Sequence, residues 1–151
     1  MSETTTARPS ALTMRRIFHA PRARVFDAWT DPEMMRRWLA PREVHVAQAV
    51  ADARVGGEYE ITMEWPDGER MLVCGRYVEI SRPERLVMTW EWESEELAAR
   101  CETLITLEFH ERGDETEMVL THDRFTDEAM RGRHEHGWTG CFEKLDDAFR
   151  N

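Results

Sequence analysis

Residues 126–151, TDEAMRGRHEHGWTGCFEKLDDAFRN, decide how the rest of the chain is read. Met130, His134, Trp138, Cys141, Leu145 and Phe149 recur at steps of three and four, the spacing of one face of an α-helix. Phe142 adjoins that face. Asp127 and Glu128 fall in the first turn, where carboxylates oppose the helix dipole, and Thr126 is the expected N-cap. Gly132, Gly137 and Gly140 interrupt the pattern, each at a cost of up to about 1 kcal/mol relative to alanine. A helix that keeps them implies close approach of its backbone to something else, either a sheet or a bound molecule.

Upstream of residue 126 the period is mostly two. Tyr59, Ile61, Met63 and Trp65 alternate with Glu58, Glu60, Thr62 and Glu64; Leu86, Met88, Trp90 and Trp92 alternate with Thr89, Glu91 and Glu93. Thr103, Ile105, Leu107 and Phe109 share a third face, and Met118, Leu120 and His122 a fourth. Val44, Val46 and Val50 suggest a further strand, and the charged segment 11–20 suits an edge strand. Turn signals separate these runs: Gly56-Gly57, Pro66-Asp67-Gly68, Ser81-Arg82-Pro83 and Arg112-Gly113-Asp114. Residues 21–30 and 32–39 read as two short helices joined at Asp31-Pro32, and residues 94–100 as a polar connector. The order is a strand, two short helices, six strands in hairpin succession and a long helix. This is an α+β domain, a curved antiparallel sheet of about six or seven strands whose apolar face only the C-terminal helix can cover.

With 151 residues the chain reads as one domain, residues 11–151, behind a short disordered tail, residues 1–10. A net charge of −10 with scattered basic residues argues against nucleic acid and anionic membrane as partners. No apolar run reaches the roughly 20 residues of a membrane span. Three cysteines without CxxC spacing point to reduced thiols and a cytoplasmic setting. No metal spacing is present: His134 and His136 are two apart and point to different sides of a helix. No cofactor is expected.

The segments RRIFHAPRARVFDAWTDPEMMRRWLAP (15–41), GGEYEITMEWPDGER (56–70), GRYVEISRPERLVMTW (75–90) and EHGWTGCFEKL (135–145) resemble a known group. This is the family of homologues of the activator of heat-shock protein 90 ATPase, in the START-like (SRPBCC) superfamily. The resemblance implies a helix-grip fold, with the sheet wrapped around the C-terminal helix and a cavity between them. It further implies binding of a hydrophobic small molecule, polyketide cyclase- or hydrolase-like chemistry, or a cochaperone role through chaperone binding. The last ranks lowest, because the separate N-terminal domain of eukaryotic cochaperones is not expected here. A homodimer is left open.

The candidate site residues follow from the inward faces. Trp38, Trp65, Trp90, Trp92 and Trp138 are either core or a pocket wall, with Tyr59 and Phe109 on the same faces. Met63, Met88, Met118 and Met130 belong to the same set, as adaptable filler of a core or of a pocket. His122 and His134 converge from the last strand and the helix; they are either hydrogen-bonded structural groups or an acid/base pair. Cys141 faces inward as an inert thiol. Arg76 points inward if Leu72, Cys74, Val78 and Ile80 form the buried side of their strand, and outward in the other register.

Overall fold

The computed structural model describes residues 11–93 and 101–150. The expected disordered tail (1–10) and polar connector (94–100) lie outside the described residues. The strands are β1 (Leu12–Phe18), β2 (His45–Ala51), β3 (Glu58–Glu64), β4 (Arg70–Ser81), β5 (Arg85–Trp92), β6 (Thr103–Arg112) and β7 (Glu115–Asp123). The helices are α1 (Arg22–Asp27), α2 (Pro32–Trp38) and α3 (Glu128–Arg150). The strands form one seven-stranded sheet in the order β1-β7-β6-β5-β4-β3-β2, every pair antiparallel. The sheet is curled into a half-barrel around α3, so the α+β helix-grip reading holds.

Two local irregularities re-aim the strands. In β4, Val73 and Tyr77 are fully buried, and the pairing with β5 shifts between Tyr77 and Glu79. An inserted residue reverses the facing of everything beyond it. Ile80 therefore packs on the core, whereas Val78 is exposed and Cys74 only half-buried. This is why the strand looked apolar on both faces. It also corrects the inward alternative for Arg76: the side chain points out and pairs with Glu102, Nη1 to Oε2 at 3.1 Å. A second shift in β2, between Val46 and Gln48, turns Ala49 inward and leaves Val50 exposed, correcting its expected facing. Gly75 meets Thr89 backbone so closely that a Cβ would lie 2.2 Å from its carbonyl oxygen.

The short helices are fixed by aromatic side chains. Trp38 Nε1 donates to the Ala28 carbonyl (3.0 Å), and the Tyr77 hydroxyl donates to the Trp29 carbonyl (3.2 Å). Asp31 caps α2 by accepting from the Glu33 amide. At α3 the cap is Asp127, whose Oδ1 accepts from Met130 N at 2.8 Å, not the expected Thr126.

α3 divides into two halves. Trp138, Cys141, Phe142, Leu145, Ala148 and Phe149 are buried, whereas Met130, His134 and Gly137 are half-buried. The lower half closes on Phe18 of β1, with ring centroids 6.1 Å from Phe142 and 5.8 Å from Phe149. It is also clamped to the α2–β2 loop, where Lys144 Nζ donates to the Val44 carbonyl. The glycines split accordingly. A Cβ at Gly140 would lie 2.8 Å from Arg42 N, so its close approach is to this loop and not to the sheet. Gly132 has nothing within 4 Å.

Gly140→Ala is expected to destabilise by about 1–3 kcal/mol through overpacking. Gly132→Ala is expected to stabilise by up to about 1 kcal/mol through helix propensity. Opposite shifts in Tm for the two variants check this; a rise for both would show that the loop gives way.

Candidate functional site

A cavity of about 600 Å³ lies between the concave sheet and the upper half of α3. β3, β4 and β5 supply Met63, Met71, Trp90 and Trp92, with Trp65 from the end of β3. α3 supplies Met130, Arg133, His134, Gly137, Trp138 and Cys141. Thr126, Asp127, Pro41 and Cys101 complete the lining. Its position follows from the division of α3, since the lower half sinks into the core and the upper half, with smaller and more polar residues, spans the sheet.

Of the residues expected at a site, Met63, Trp65, Trp90, Trp92, Met130, His134, Trp138 and Cys141 line this cavity. Trp38, Tyr59, Met88, Phe109 and Met118 lie elsewhere, each at most 1% exposed in the packed core. Trp38 packs edge-on against Trp29 (4.7 Å between centroids), Phe109 against Phe26 (5.3 Å), and the Tyr59 hydroxyl donates to the Thr89 carbonyl. Arg76 is on the outer surface. His122 stands one layer behind the wall, fully buried against Trp90 and Trp138.

Sequence reasoning did not single out Met71, Pro41, Cys101, Asp127 or Arg133. Met71 belongs to the strand whose facing was ambiguous. The others lie outside the alternating strand faces or on the polar side of the helix pattern.

The wall is aromatic, and two of its four indole N–H groups are held by histidines. Trp90 packs 5.0 Å from Trp138 and 6.0 Å from Trp92, and Trp92 lies 6.5 Å from Trp65. Trp138 Nε1 donates to His122 Nδ1 (3.1 Å), and Trp92 Nε1 donates to His134 Nε2 (3.0 Å). The Trp90 N–H is enclosed and meets no acceptor among the described residues.

These bonds fix both histidine tautomers. The Thr103 hydroxyl has one hydrogen, donated to the Trp90 carbonyl at 2.7 Å, so its contact with His122 Nε2 (2.7 Å) must use an imidazole N–H. His122 Nδ1 is then the lone pair that accepts from Trp138. In His134 the roles reverse, with Nδ1–H donating to the Met130 carbonyl (2.9 Å) and Nε2 accepting from Trp92. Each ring is neutral, and each spends its only lone pair on an indole. A proton on either would set two donors face to face.

Electrostatics agree with this geometry. Burial, then the neighbouring His134, push His122 well below the usual histidine range. Burial also pushes His134 down, helped by the Arg133 charge and opposed by the bond to the Met130 carbonyl. Burial raises the Cys141 thiol to about 12, and raises Cys101 as well, with Glu91 adding to it. No thiolate nucleophile is available at either cysteine near neutral pH. Among the described residues, no group of three or more His, Cys, Asp or Glu is placed to hold a metal.

Because both rings are held neutral in the fold, the unfolded chain binds more protons once the pH drops below about 6.5, the ordinary histidine value. Stability is therefore complete above that pH and falls below it, by at most about 1.4 kcal/mol per pH unit for each ring. Denaturant titrations between pH 7.5 and 5.5 are expected to show this decline. In His134→Gln, whose amide oxygen can still accept from Trp92 without titrating, the decline is expected to be shallower.

Residues 19–150 match the family model described as Activator of Hsp90 ATPase homolog 1-like protein. The crystal structure of the AHSA1 protein from Silicibacter pomeroyi is similar, at 26% identity and a TM-score of 0.83 over 93% of this chain and 97% of that one. A protein from Chromobacterium violaceum is 22% identical, with a TM-score of 0.82 over 93% and 97% of the two chains. A protein from Rhizobium leguminosarum is 27% identical, with a TM-score of 0.72 over 90% and 91%. No curated protein matches the sequence. No helix among the described residues is long and apolar enough to cross a membrane. The match across almost the whole sequence, on a sheet curled around one long helix, places this chain in the Activator of Hsp90 ATPase homolog 1-like family.

Proposed function

We propose that the protein binds a hydrophobic or aromatic small molecule between the sheet and the upper half of α3. The observation that carries this reading is the cavity of about 600 Å³ walled by Trp65, Trp90, Trp92 and Trp138 with Met63, Met71 and Met130. Its volume falls in the roughly 300–1,000 Å³ range of small-molecule sites. Indole faces offer flat apolar surface, and thioethers adapt to its outline.

Binding is favoured over acid/base catalysis. A general base needs a free lone pair within reach of the substrate. His134 reaches the cavity with its lone pair held by Trp92, and His122 does not line the cavity. A cytoplasmic setting accords with three cysteines that form no disulfide with one another.

Native mass spectrometry of the purified protein and tryptophan fluorescence against a panel of polycyclic compounds test the proposal. Saturable quenching is expected, because four of the wall residues are tryptophan. Gly137→Leu extends a side chain from a lining position whose Cβ would meet only Pro41, at 3.7 Å. It is expected to weaken binding at least about ten-fold while leaving Tm equal or higher, since glycine is the poorest helix former after proline. A panel without any response in the wild type would rule the reading out.

A further inference from the structure

We infer that Arg133 is a charge selector at the cavity, so that the preferred guest is an amphipathic organic anion with its apolar body against the tryptophans. This rests on the small-molecule reading above and names the chemical class of the guest. Among the described residues, two charged side chains line the cavity, Asp127 and Arg133, both at the upper end of α3. They are not equivalent. Asp127 caps the helix, its Oδ1 accepting from Met130 N at 2.8 Å, with the positive end of the helix dipole beside it. Arg133 is exposed and makes no ion pair among the described residues. On the same helix, Arg131 is held by Glu128 and Arg150 by Asp147.

Of the four wall indoles, Trp92 and Trp138 give their N–H groups to histidines and that of Trp90 is enclosed, which leaves the half-buried Trp65 as the remaining indole donor. The Cys141 thiol stays protonated. A guest's polar group therefore finds little to bond with inside and belongs at the upper end of α3. There the uncommitted charge is a guanidinium, which presents a fork of donors to a carboxylate. The cation is close enough to the wall to disfavour a second positive charge on His134. The overall charge of −10 opposes an anion at long range, but at physiological salt screening confines such effects to about 8 Å, which leaves the nearest charge in control.

The test compares three probes with one apolar body: 2-naphthylacetate, 2-(2-naphthyl)ethanol and 2-(2-naphthyl)ethylammonium. Each is titrated calorimetrically into the wild-type protein and Arg133→Gln at pH 7.5 and physiological salt. In the wild type the carboxylate is expected to bind about three- to five-fold tighter than the alcohol, the size of a solvent-exposed ion pair, and the ammonium weakest. In Arg133→Gln the ratio of carboxylate to alcohol affinity should fall to about one; high salt should narrow the wild-type gap in the same way. Equal wild-type affinities for carboxylate and alcohol, or tightest binding of the ammonium, would overturn the assignment while leaving the cavity as a binding site. Binding of none of the three would remove the small-molecule reading and this one with it.

Discussion

The structure depends on one stack of aromatic rings at the middle of α3. Trp138 and Phe142 lie nearly parallel with centroids 5.6 Å apart, and Trp29 meets Trp138 at 5.5 Å. Trp38 completes the group, 6.4 Å from Phe142. These rings join the long helix to both short helices, and the short helices to the sheet through the Tyr77 hydroxyl. Below the stack, α3 is closed down on β1 and on the α2–β2 loop. Above it, the helix spans a concave sheet with half-buried residues. The cavity is thus a consequence of where the helix is fastened.

The same stack leads into a polar layer. Trp138 is at once a core ring and a donor to His122, and His122 lies 5.1 Å, centroid to centroid, from His134. His134 in turn holds Trp92. Two neutral imidazoles therefore join four elements, β5, β6, β7 and α3, through directional bonds that burial makes costly to break. Their neutrality is a structural requirement. It accounts for two histidines that converge beside the cavity with neither keeping a free lone pair.

Much of the architecture was legible because hydrophobic periodicity and turn chemistry agreed. The alternation in β3, β5, β6 and β7 placed their buried faces correctly, and the 3.6-residue pattern found α3. The misreadings come from features with no one-dimensional signature. A single extra residue in β4 reversed its facing, which hid Met71 as a lining residue and left Arg76 undecided. Periodicity says that Trp38, Met88 and Phe109 point inward, but not whether they meet neighbours or empty space. Core and pocket wall draw on the same residue types. Asp127 and Arg133 look like solvated helix positions in the sequence, and only the placement of α3 brings them to the cavity.

The wall combines two kinds of surface. Trp92 and Trp138 are held by hydrogen bonds to their ring nitrogens, which restrict rotation of the indoles and fix the planes they present. Met63, Met71 and Met130 carry flexible thioethers that can follow a changing outline. For a bound molecule, the part that meets the held indoles is selected by shape, and the part that meets the methionines is tolerated over a range of sizes. Fixed planes also reduce the ordering cost of binding, since their entropy was lost when the protein folded. On the small-molecule reading, the histidine layer serves recognition by holding flat the surfaces on which a guest would rest.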